Sequence, residues 1–448
     1  MKLPLVSRIQ RGRSEDWREM KRQAPLVVIA GGGFGGLTAA KALKRSPVNV
    51  LLIDRSNHHV FQPLLYQVAT SVLASGQIAS PIRSLLAGQM NTSVMLGNVT
   101  GVDAASKQVV VDINDKVKLK IRYDHLILAT GATHSYFGHD EFAPFAPGLK
   151  SLADAESLRN RILEAFEKAE IEDDRGRRQA LMTFVMVGAG PTGVEIASAL
   201  AVMARSTFRQ DFRRINPASA RIILVDLGGR PLAAFSEKLS EAAMRRLNSL
   251  GVEVRLRSAV QVVDKEGVVI GSERVWAKTV IWTAGVAPSP AGKWLGTAVD
   301  PSGRVQIQPD LTVAGNPDLF VIGDTAVLEQ DGRPLPGVAQ VAMQQGRYAA
   351  KSITRRVTGQ SPLPPFRYFD KGNLAVVGEN FAVLQSSGVE LSGFTAWLIW
   401  ALVHIQFLAE ASLRFSVFLQ WMWTYVSGKR AARLLIRQPI KDISESLS

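Results

Sequence analysis

A chain of 448 residues has room for about three domains of roughly 150 residues each, and its 46% hydrophobic and 21% charged residues exclude disorder over most of its length. The absence of cysteine excludes disulfides, thiolate metal sites and cysteine nucleophiles, and the six histidines lack metal-ligand spacing, so we expect no metal. The net charge of +14 is consistent with binding to nucleic acid, with binding to an anionic membrane, or with a generally basic surface that has no such partner. Because no nucleic-acid-binding motif is present, we expect no nucleic-acid partner.

Residues 1–24 are predicted to form a charged leader. The segment is basic, but Ser14, Glu15 and Asp16 interrupt the apolar core that a signal peptide needs, so we expect no export signal. No stretch of the chain reaches about 18 uncharged apolar residues. The sequence therefore predicts no membrane-spanning helix.

A glycine-rich turn follows the first predicted buried strand, Leu26–Ala30. Gly31, Gly33 and Gly36 have GxGxxG spacing, in which the glycines allow a tight turn, close approach of a pyrophosphate and close packing of helix on strand. The next apolar run ends at Asp54, whose carboxylate is suited to ribose hydroxyls. The pattern predicts a dinucleotide site. Its turn residues are Gly31, Gly33, Phe34, Gly35 and Gly36.

A second turn of this kind follows a later buried strand. Gly188, Gly190 and Gly193 repeat the spacing, and Asp226 ends the next apolar strand, after an extension of the crossover helix and its loop. A carboxylate in this position repels a 2′-phosphate, so we predict NADH rather than NADPH, although Arg230 follows closely. The predicted residues of this site are Gly188, Gly190, Thr192, Gly193, Glu195 and Asp226.

Three other predicted strands end in small residues or in a carboxylate. Small residues at a strand end let a backbone approach a ligand closely, and Asp324 either caps a helix or holds a polyol hydroxyl. Two dinucleotide folds mean either two nucleotides that meet at their reactive rings or one vestigial site, and these segments favour the first. The residues concerned are Ala129, Thr130, Gly131, Ala284, Gly285, Gly323 and Asp324.

The alternation of buried strands and helices predicts an α/β fold with parallel sheets, made of two Rossmann-like dinucleotide-binding domains and a C-terminal amphipathic helical region. Further strands are predicted at Val48–Ile53, His125–Ala129, Thr183–Val187, Ile222–Val225, Thr279–Thr283 and Leu319–Ile322, and helices at Gly36–Lys44, Ala153–Ala169, Gly193–Arg205 and Glu237–Leu250. The predicted domains are the leader (1–24), a first nucleotide domain in two parts (25–150 and 301–365), a second nucleotide domain (151–300) and a C-terminal region (366–448).

The C-terminal region has its own composition. Leu391–Leu408 carries apolar residues at three- and four-residue spacings, Val417–Val426 adds aromatic residues, and Lys429–Arg437 is basic. Aromatic side chains beside a basic patch are typical of an interfacial, non-spanning anchor on an anionic lipid surface. The alternatives are a helix pair that closes the core and a dimer interface, so a homodimer is left open.

Together these segments resemble the two-dinucleotide flavoproteins and, more specifically, the type II NADH dehydrogenases, which are single-subunit NADH:quinone oxidoreductases. The resemblance runs from about Pro25 to Ile436 and implies that the first fold holds FAD and the second holds NADH. One departure is Ala409–Ser412, where a more apolar turn is expected. The most specific stretches are Phe61–Ala69, Pro191–Glu195, Ala339–Gly346 and Tyr368–Gly372.

The resemblance also implies roles for individual residues. Gln340 and Gln344, which share a helical face, would line a quinone pocket beside the flavin, with Lys371 near the reduced ring; ordinary helix surface is the alternative for the glutamines. Glu195 would relay a proton or contact the nicotinamide amide, unless it is a first-turn glutamate favoured by the helix dipole. The predicted FAD site comprises Gly31, Gly33, Phe34, Gly35, Gly36, Asp54, Ala129, Thr130, Gly131, Gly323, Asp324 and Gln340, and the NADH site also includes Ala284 and Gly285.

The predicted function is hydride transfer from NADH to FAD and then transfer of two electrons to a membrane quinone, without proton pumping. The predicted location is the cytoplasmic face of the inner (plasma) membrane, with peripheral attachment. Disulfide reductases and sulfide:quinone oxidoreductases are excluded because they need thiols that this chain lacks. The alternatives are a soluble ferredoxin- or nitrite-type flavoprotein reductase and a flavin-bound NADH sensor.

Overall fold

The computed structural model describes residues 24–113, 117–428, 430 and 432–435. Most of the predicted leader and part of the basic stretch, including Lys429 and Arg437, lie outside the described residues. Contacts divide the described chain into two compact units, whose bounds differ from the predicted domain boundaries; those boundaries stay predictions. The first unit comprises the chain up to His59, Ser80–Thr133 and Val286–Asp370, and the second comprises Val60–Ala79, His134–Gly285 and the chain from Lys371 onward.

A six-stranded sheet forms the centre of the first unit. Its central strands are continuous apolar runs that are buried on both faces, as parallel strands usually are. Only the edge pair, Thr312–Val313 with Asn316–Val321, is antiparallel. The strand order is Thr312–Val313, Asn316–Val321, His125–Leu128, Leu26–Ala30, Asn49–Asp54 and Thr92–Leu96. Smaller strands of this unit are Asn98–Asp103, Gln108–Ile113, Val117–Arg122, Val305–Gln306, Ala326–Val327, Glu329–Gln330 and Arg333–Pro334.

A four-stranded parallel sheet forms the centre of the second unit, so the predicted parallel sheets are confirmed in both units. Its strand order is Val252–Arg255, Arg221–Val225, Thr183–Val187 and Thr279–Trp282. Two antiparallel sheets accompany it, made of Val260–Asp264, Gly267–Ile270 and Glu273–Trp276, and of Asn373–Val376, Ala382–Ser386 and Val389–Gly393. The remaining short strands of the described chain are His58–Val60, Ala79–Pro81, Ala132–His134 and Val286–Pro288.

The predicted helices are confirmed to within a few residues. The helix after the second glycine turn continues into a π-helical turn, Met203–Thr207, which confirms the predicted extension of the crossover. The α-helices of the described residues are α1 (Phe34–Ala42), α2 (Leu65–Ala69), α3 (Ile82–Leu86), α4 (Leu152–Ile171), α5 (Arg175–Leu181), α6 (Pro191–Val202), α7 (Glu237–Ser249), α8 (Ala291–Leu295), α9 (Ala339–Val357), α10 (Phe394–Phe407) and α11 (Ala411–Ser427).

The C-terminal helices α10 and α11 are strongly apolar. The predicted amphipathic segment from Leu391 begins instead with the end of a strand, and α10 starts at Phe394 because Gly393, with a φ of +93°, turns the chain. The segment Ala409–Ser412 contains the turn between the helices and the start of α11. No helix in the part of the chain that the structure describes combines the length and apolar character needed to cross a bilayer.

Candidate nucleotide and quinone sites

The first glycine turn closes tightly on its own backbone. Gly31 has a φ of +105°, and a Cβ added there would lie 2.3 Å from the Ala129 carbonyl oxygen. A Cβ at Gly36 would lie 1.8 Å from the Gly31 carbonyl oxygen. At Gly33, by contrast, no atom lies within 4 Å of an added Cβ, and no side chain caps the start of α1. The open helix N-terminus suits an anionic group such as a pyrophosphate.

Asp54 fixes this turn from the end of the neighbouring strand. Its carboxylate accepts the Gly32 N–H at 2.5 Å and the Ser56 N–H at 2.6 Å. His59, which the sequence did not single out, donates from Nδ1 to the Gly32 carbonyl oxygen at 3.0 Å, and burial lowers its pKa. The ring of Phe34 meets that of His59 edge-on, with centroids 5.2 Å apart. The carboxylate that we predict to contact the ribose is therefore already hydrogen-bonded to the turn.

The second turn has the same geometry. Gly188 has a φ of +108°, a Cβ at Gly193 would lie 1.9 Å from the Gly188 carbonyl oxygen, and the space around Gly190 is open to 4 Å. The Thr283 hydroxyl, another group that sequence reasoning missed, bonds the Gly188 carbonyl oxygen at 2.9 Å. Thr192 is the second residue of α6. The two turns are thus equivalent structures in different units.

Asp226 holds the second turn as Asp54 holds the first. Its carboxylate accepts the N–H groups of Ala189 and Gly228, each at 2.6 Å. Arg230 donates to the Ala233 carbonyl oxygen at 3.1 Å. The acid predicted for the NADH ribose is therefore positioned at the strand end, and the Arg230 guanidinium is bound to a backbone carbonyl.

Ala284 and Gly285 border the second turn. A Cβ at Gly188 would lie 2.6 Å from the Ala284 Cα, so the two segments are in close contact. A Cβ at Gly285 would lie 2.4 Å from Cζ of Phe137, whose exposed ring covers this glycine and whose φ is +53°. Phe137 was missed because a lone aromatic residue in a loop carries no sequence signal.

The remaining predicted FAD residues lie at neighbouring strand ends of the first unit. The Thr130 hydroxyl is 2.5 Å from that of Ser289, and Gly131 has a φ of +67°. Gly323 donates its N–H to Oε1 of the buried Gln345 at 2.7 Å. Asp324 lies within the 3₁₀ turn that follows and is not the N-cap of a helix, which removes the capping alternative. Gln345 was not singled out from the sequence, although it belongs to the motif that contains Gln344.

Helix α9 contributes the two predicted quinone-site glutamines. Gln340 is the second residue of the helix and is half-buried. Gln344 Nε2 donates to the Phe369 carbonyl oxygen at 2.8 Å, and its Oε1 accepts the Phe369 N–H at 3.0 Å. Gly346 lets α9 cross α1, because a Cβ there would lie 2.3 Å from the Gly35 carbonyl oxygen. Gln344 therefore clamps the backbone of Phe369, whose ring is exposed.

Glu195 and Lys371 belong to the second unit. Glu195 is the fifth residue of α6, and the first turn of that helix has no acidic residue, so the first-turn alternative does not hold. Burial raises the pKa of Glu195 to about 8, against an opposing hydrogen bond from the Val376 backbone. Lys371 is exposed, and its Nζ lies 5.9 Å from the centroid of the Phe407 ring.

Comparisons with known proteins identify the family. The model of the pyridine nucleotide-disulphide oxidoreductase family matches residues 25–346. The chain is 45% identical over 415 residues to the type II NADH:quinone oxidoreductase Ndh of Mycobacterium tuberculosis, a match that covers 90% of this chain and 89% of the relative. The chain belongs to the type II NADH:quinone oxidoreductases. The resemblance found in the sequence is thus confirmed.

Solved structures share the fold of this chain. NDH2 from Plasmodium falciparum in complex with NADH has a TM-score of 0.84 at 20% identity and covers 93% of this chain and 100% of its own. The sulfide:quinone oxidoreductase of Aquifex aeolicus has a TM-score of 0.70 at 15% identity, and the match covers 94% of this chain and 98% of that protein. At these identities the likeness shows the fold alone. It confirms that this type II oxidoreductase has the predicted α/β architecture.

The Gln344 clamp leads to a first prediction. We expect Gln344→Ala to raise the quinone KM about ten- to thirtyfold, because two backbone groups of Phe369 lose partners worth about 1 kcal/mol each, while flavin reduction by NADH is unchanged. Stopped-flow kinetics of the two half-reactions would measure this. Phe369→Leu should give the same defect, and the double variant should be no worse than either single one. Additive effects would contradict a clamp that acts through Phe369.

Proposed function

We propose that this chain is a membrane-peripheral enzyme that transfers a hydride from NADH to FAD and then two electrons to a membrane quinone, without pumping protons. The observation that carries the proposal is the pair of glycine turns, each combining an open helix N-terminus at Gly33 or Gly190 with a carboxylate clamp from Asp54 or Asp226. Membership of the type II family supports a quinone as the acceptor. The proposed location is the cytoplasmic face of the inner (plasma) membrane.

The first unit fits FAD. The uncapped N–H groups of α1 face open space at Gly33, where a pyrophosphate can approach, and Asp54 keeps the turn in place. Gly131 and Gly323 bring backbone close to the same edge of the sheet through left-handed conformations. When bound, the flavin supplies the hydride-accepting and electron-carrying chemistry.

The second unit fits NADH. Gly190 leaves the same open space at the start of α6, and the Asp226 carboxylate would face the ribose hydroxyls. A 2′-phosphate near this carboxylate is repelled, so the proposed substrate is NADH rather than NADPH. Phe137 covers Gly285 and would limit how far solvent reaches the nicotinamide.

The quinone reaction needs hydrogen-bonding groups and two protons. Gln340 offers a neutral amide that can donate to a quinone carbonyl, and the Lys371 ammonium would favour negative charge that develops during reduction. Glu195 would be protonated near pH 7, because burial raises its pKa to about 8. We therefore assign to Glu195 the role of a proton donor that is recharged from solvent.

Helices α10 and α11 support membrane attachment. Between Phe394 and Ser427 the only charged residues are Glu410 and Arg414. Large apolar and aromatic side chains are nevertheless exposed on both helices, among them Phe394, Leu398, Leu402, Phe415, Leu419, Trp423 and Val426. Such an exposed face is typical of a helix pair that lies in the lipid interface, where a lipid-soluble quinone is available.

We expect Leu402→Glu to weaken binding to vesicles that contain anionic phospholipid by roughly tenfold or more, because an interfacial leucine is replaced by a charge. The matched control is Ile171→Glu, since Ile171 is 72% exposed, similar to 66% for Leu402, but ends α4 outside the tail. Vesicle cosedimentation would measure both variants. Equal losses in the two variants, or a dimer in solution that only Leu402→Glu dissociates, would contradict membrane attachment through this face.

Stopped-flow spectroscopy tests the proposed function. The purified protein should show flavin absorbance that NADH bleaches rapidly and that a short-chain quinone restores within the turnover time. Reoxidation by an iron–sulfur protein but not by quinone would indicate the soluble reductase. Slow bleaching with a long-lived charge-transfer band would indicate the sensor.

A further inference from the structure

A cavity within the second unit is lined by none of the residues to which the proposed function assigns a role. It has a volume of about 90 Å³ and is lined by parts of α2, α6, α10 and α11, by the turn after Val376 and by Arg430. Because an apolar cavity of about 150 Å³ holds a benzene ring, this one accommodates a small head group rather than a whole cofactor.

Aromatic rings form most of one wall of this cavity. The rings of Trp400 and Trp421 stack with centroids 5.2 Å apart, and those of Trp397 and Tyr425 with centroids 6.3 Å apart. Trp421 Nε1 donates to Gln67 Oε1 at 2.7 Å, which joins α11 to α2. The same two helices carry the exposed apolar face, so the cavity and the surface that we propose contacts lipid share their helices.

Arg430 places a cation at the cavity. Arg430 is only 3% exposed. Its Nη1 donates to the Thr70 carbonyl oxygen at 2.8 Å, and its Nη2 donates to the Ala199 carbonyl oxygen at 3.1 Å. Burial lowers its pKa to about 10, opposed by Glu379, so the guanidinium stays charged at neutral pH. Both hydrogen-bond acceptors are neutral, and the carboxylate that acts on the guanidinium, that of Glu379, is exposed to solvent. A buried cation is costly without a buried opposite charge.

Two buried donors at the cavity have no partner. Nε of Arg430 and Nε1 of Trp400, on a residue that is 2% exposed, make no hydrogen bond within the described chain. Buried donors nearly always have a hydrogen-bond acceptor, so these two donors indicate that an acceptor binds in the cavity. Glu379 also lines the cavity, but it is exposed, and solvent screens its repulsion of an anion.

We propose that this cavity binds the anionic head group of an amphiphile, a carboxylate or phosphate oxygen on an apolar chain, with Arg430 and Trp400 as its donors. The chain of the amphiphile would lie along the tryptophan wall. The site goes beyond the proposed reaction, because it requires neither nucleotide nor quinone. Its occupancy would couple the tail to lipid composition through charge, and not only through apolar contact.

Quenching of tryptophan fluorescence by brominated amphiphiles tests the proposal on the flavin-loaded protein. We expect 9,10-dibromostearate to quench saturably and its methyl ester to bind at least about tenfold more weakly, since charge-assisted hydrogen bonds are the stronger ones. Arg430→Gln should abolish the difference between acid and ester. Trp400→Phe should weaken binding of the acid several-fold and, by keeping the aromatic wall, provides the test if Arg430→Gln does not fold.

Two further arms identify the source of the anion. Quenching by vesicles of brominated phosphatidylglycerol but not of brominated phosphatidylcholine, lost in Arg430→Gln, assigns the site to a lipid head group. Quenching by dibromostearate alone assigns it to a free carboxylate. Equal binding of acid and ester by the natural chain, or an unchanged preference in both folded variants, would overturn the proposal. Trp423→Phe, on the exposed face, is the control for quenching from outside the cavity.

Discussion

Gly190→Ala is expected to leave the fold and the bound flavin intact and to weaken NADH binding by roughly ten- to a hundredfold. No atom lies within 4 Å of a Cβ at this position, and the φ of −71° is allowed for alanine, so the folded chain accommodates the methyl group. The open space is where the second glycine of the motif admits a pyrophosphate. The dependence of flavin reduction on NADH concentration would measure the loss.

Gly33→Ala is the matched variant in the first turn. Its φ is −69° and its surroundings are equally open, but here we expect loss of flavin rather than of NADH affinity. If both variants lost the same nucleotide, the assignment of FAD to the first unit and NADH to the second would be wrong.

Gly193→Ala separates folding from binding. An added Cβ would lie 1.9 Å from the Gly188 carbonyl oxygen, too close for any rotation to relieve, so we expect loss of folding rather than of affinity. A Gly193→Ala protein with the natural melting temperature would contradict the closed turn that the structure shows.

Local features of the fold could be predicted from the sequence. The strands Leu26–Ala30 and Thr183–Val187 have the predicted bounds, because a continuous apolar run that ends in glycine specifies both a buried strand and its end. The acids Asp54 and Asp226 were found for the same reason, since each ends the next apolar run. Their hydrogen bonds to the turns follow from parallel pairing of adjacent strands.

Contacts between distant segments could not be predicted. The clamp from Gln344 to Phe369, and the bond from Gln345 to Gly323, depend on how a helix meets a loop and a strand end, for which spacing carries no signal. The cavity at Arg430 likewise forms where four separate helices meet. Arg430, the cation of this cavity, belongs to the basic stretch that we predicted as a whole to contact the lipid surface.

Glu195→Gln is expected to slow quinone reduction strongly while leaving flavin reduction by NADH nearly unchanged. The amide keeps the shape and the contact with Val376 but cannot release a proton, and a positioned general acid contributes roughly a hundredfold or more. In the natural enzyme the rate of flavin reoxidation should fall as the pH rises through about 8, where the carboxyl loses its proton. In the variant this pH dependence should be absent. If the natural enzyme and the variant had equal rates of flavin reduction and of flavin reoxidation, Glu195 would have no role in the reaction.

The same substitution has a consequence for stability with a definite sign. Because the folded-state pKa of about 8 lies above the ordinary 4.5, the folded chain retains a proton that the unfolded chain loses between these values, and its stability falls as the pH rises through that window. The amide of the variant does not titrate, so Glu195→Gln should match the natural chain near pH 4.5 and exceed it above pH 8. At about 1.4 kcal/mol per pKa unit, the upper limit of the difference in free energy of unfolding between the two proteins is ~5 kcal/mol. Because Glu195 is not completely buried, we expect a difference of ~2–3 kcal/mol.

Glu167→Gln is the control for this titration, because Glu167 is an exposed glutamate on α4 of the same unit. Denaturant unfolding of the flavin-loaded proteins at pH 5 and pH 8.5 should show a stability gain only for Glu195→Gln, and the gain should be much larger at pH 8.5 than at pH 5. A gain that was the same at both values would mean that the amide packs better than the carboxyl. The pKa of Glu195 would then play no part, and the proton donor would have to be sought among groups nearer the quinone.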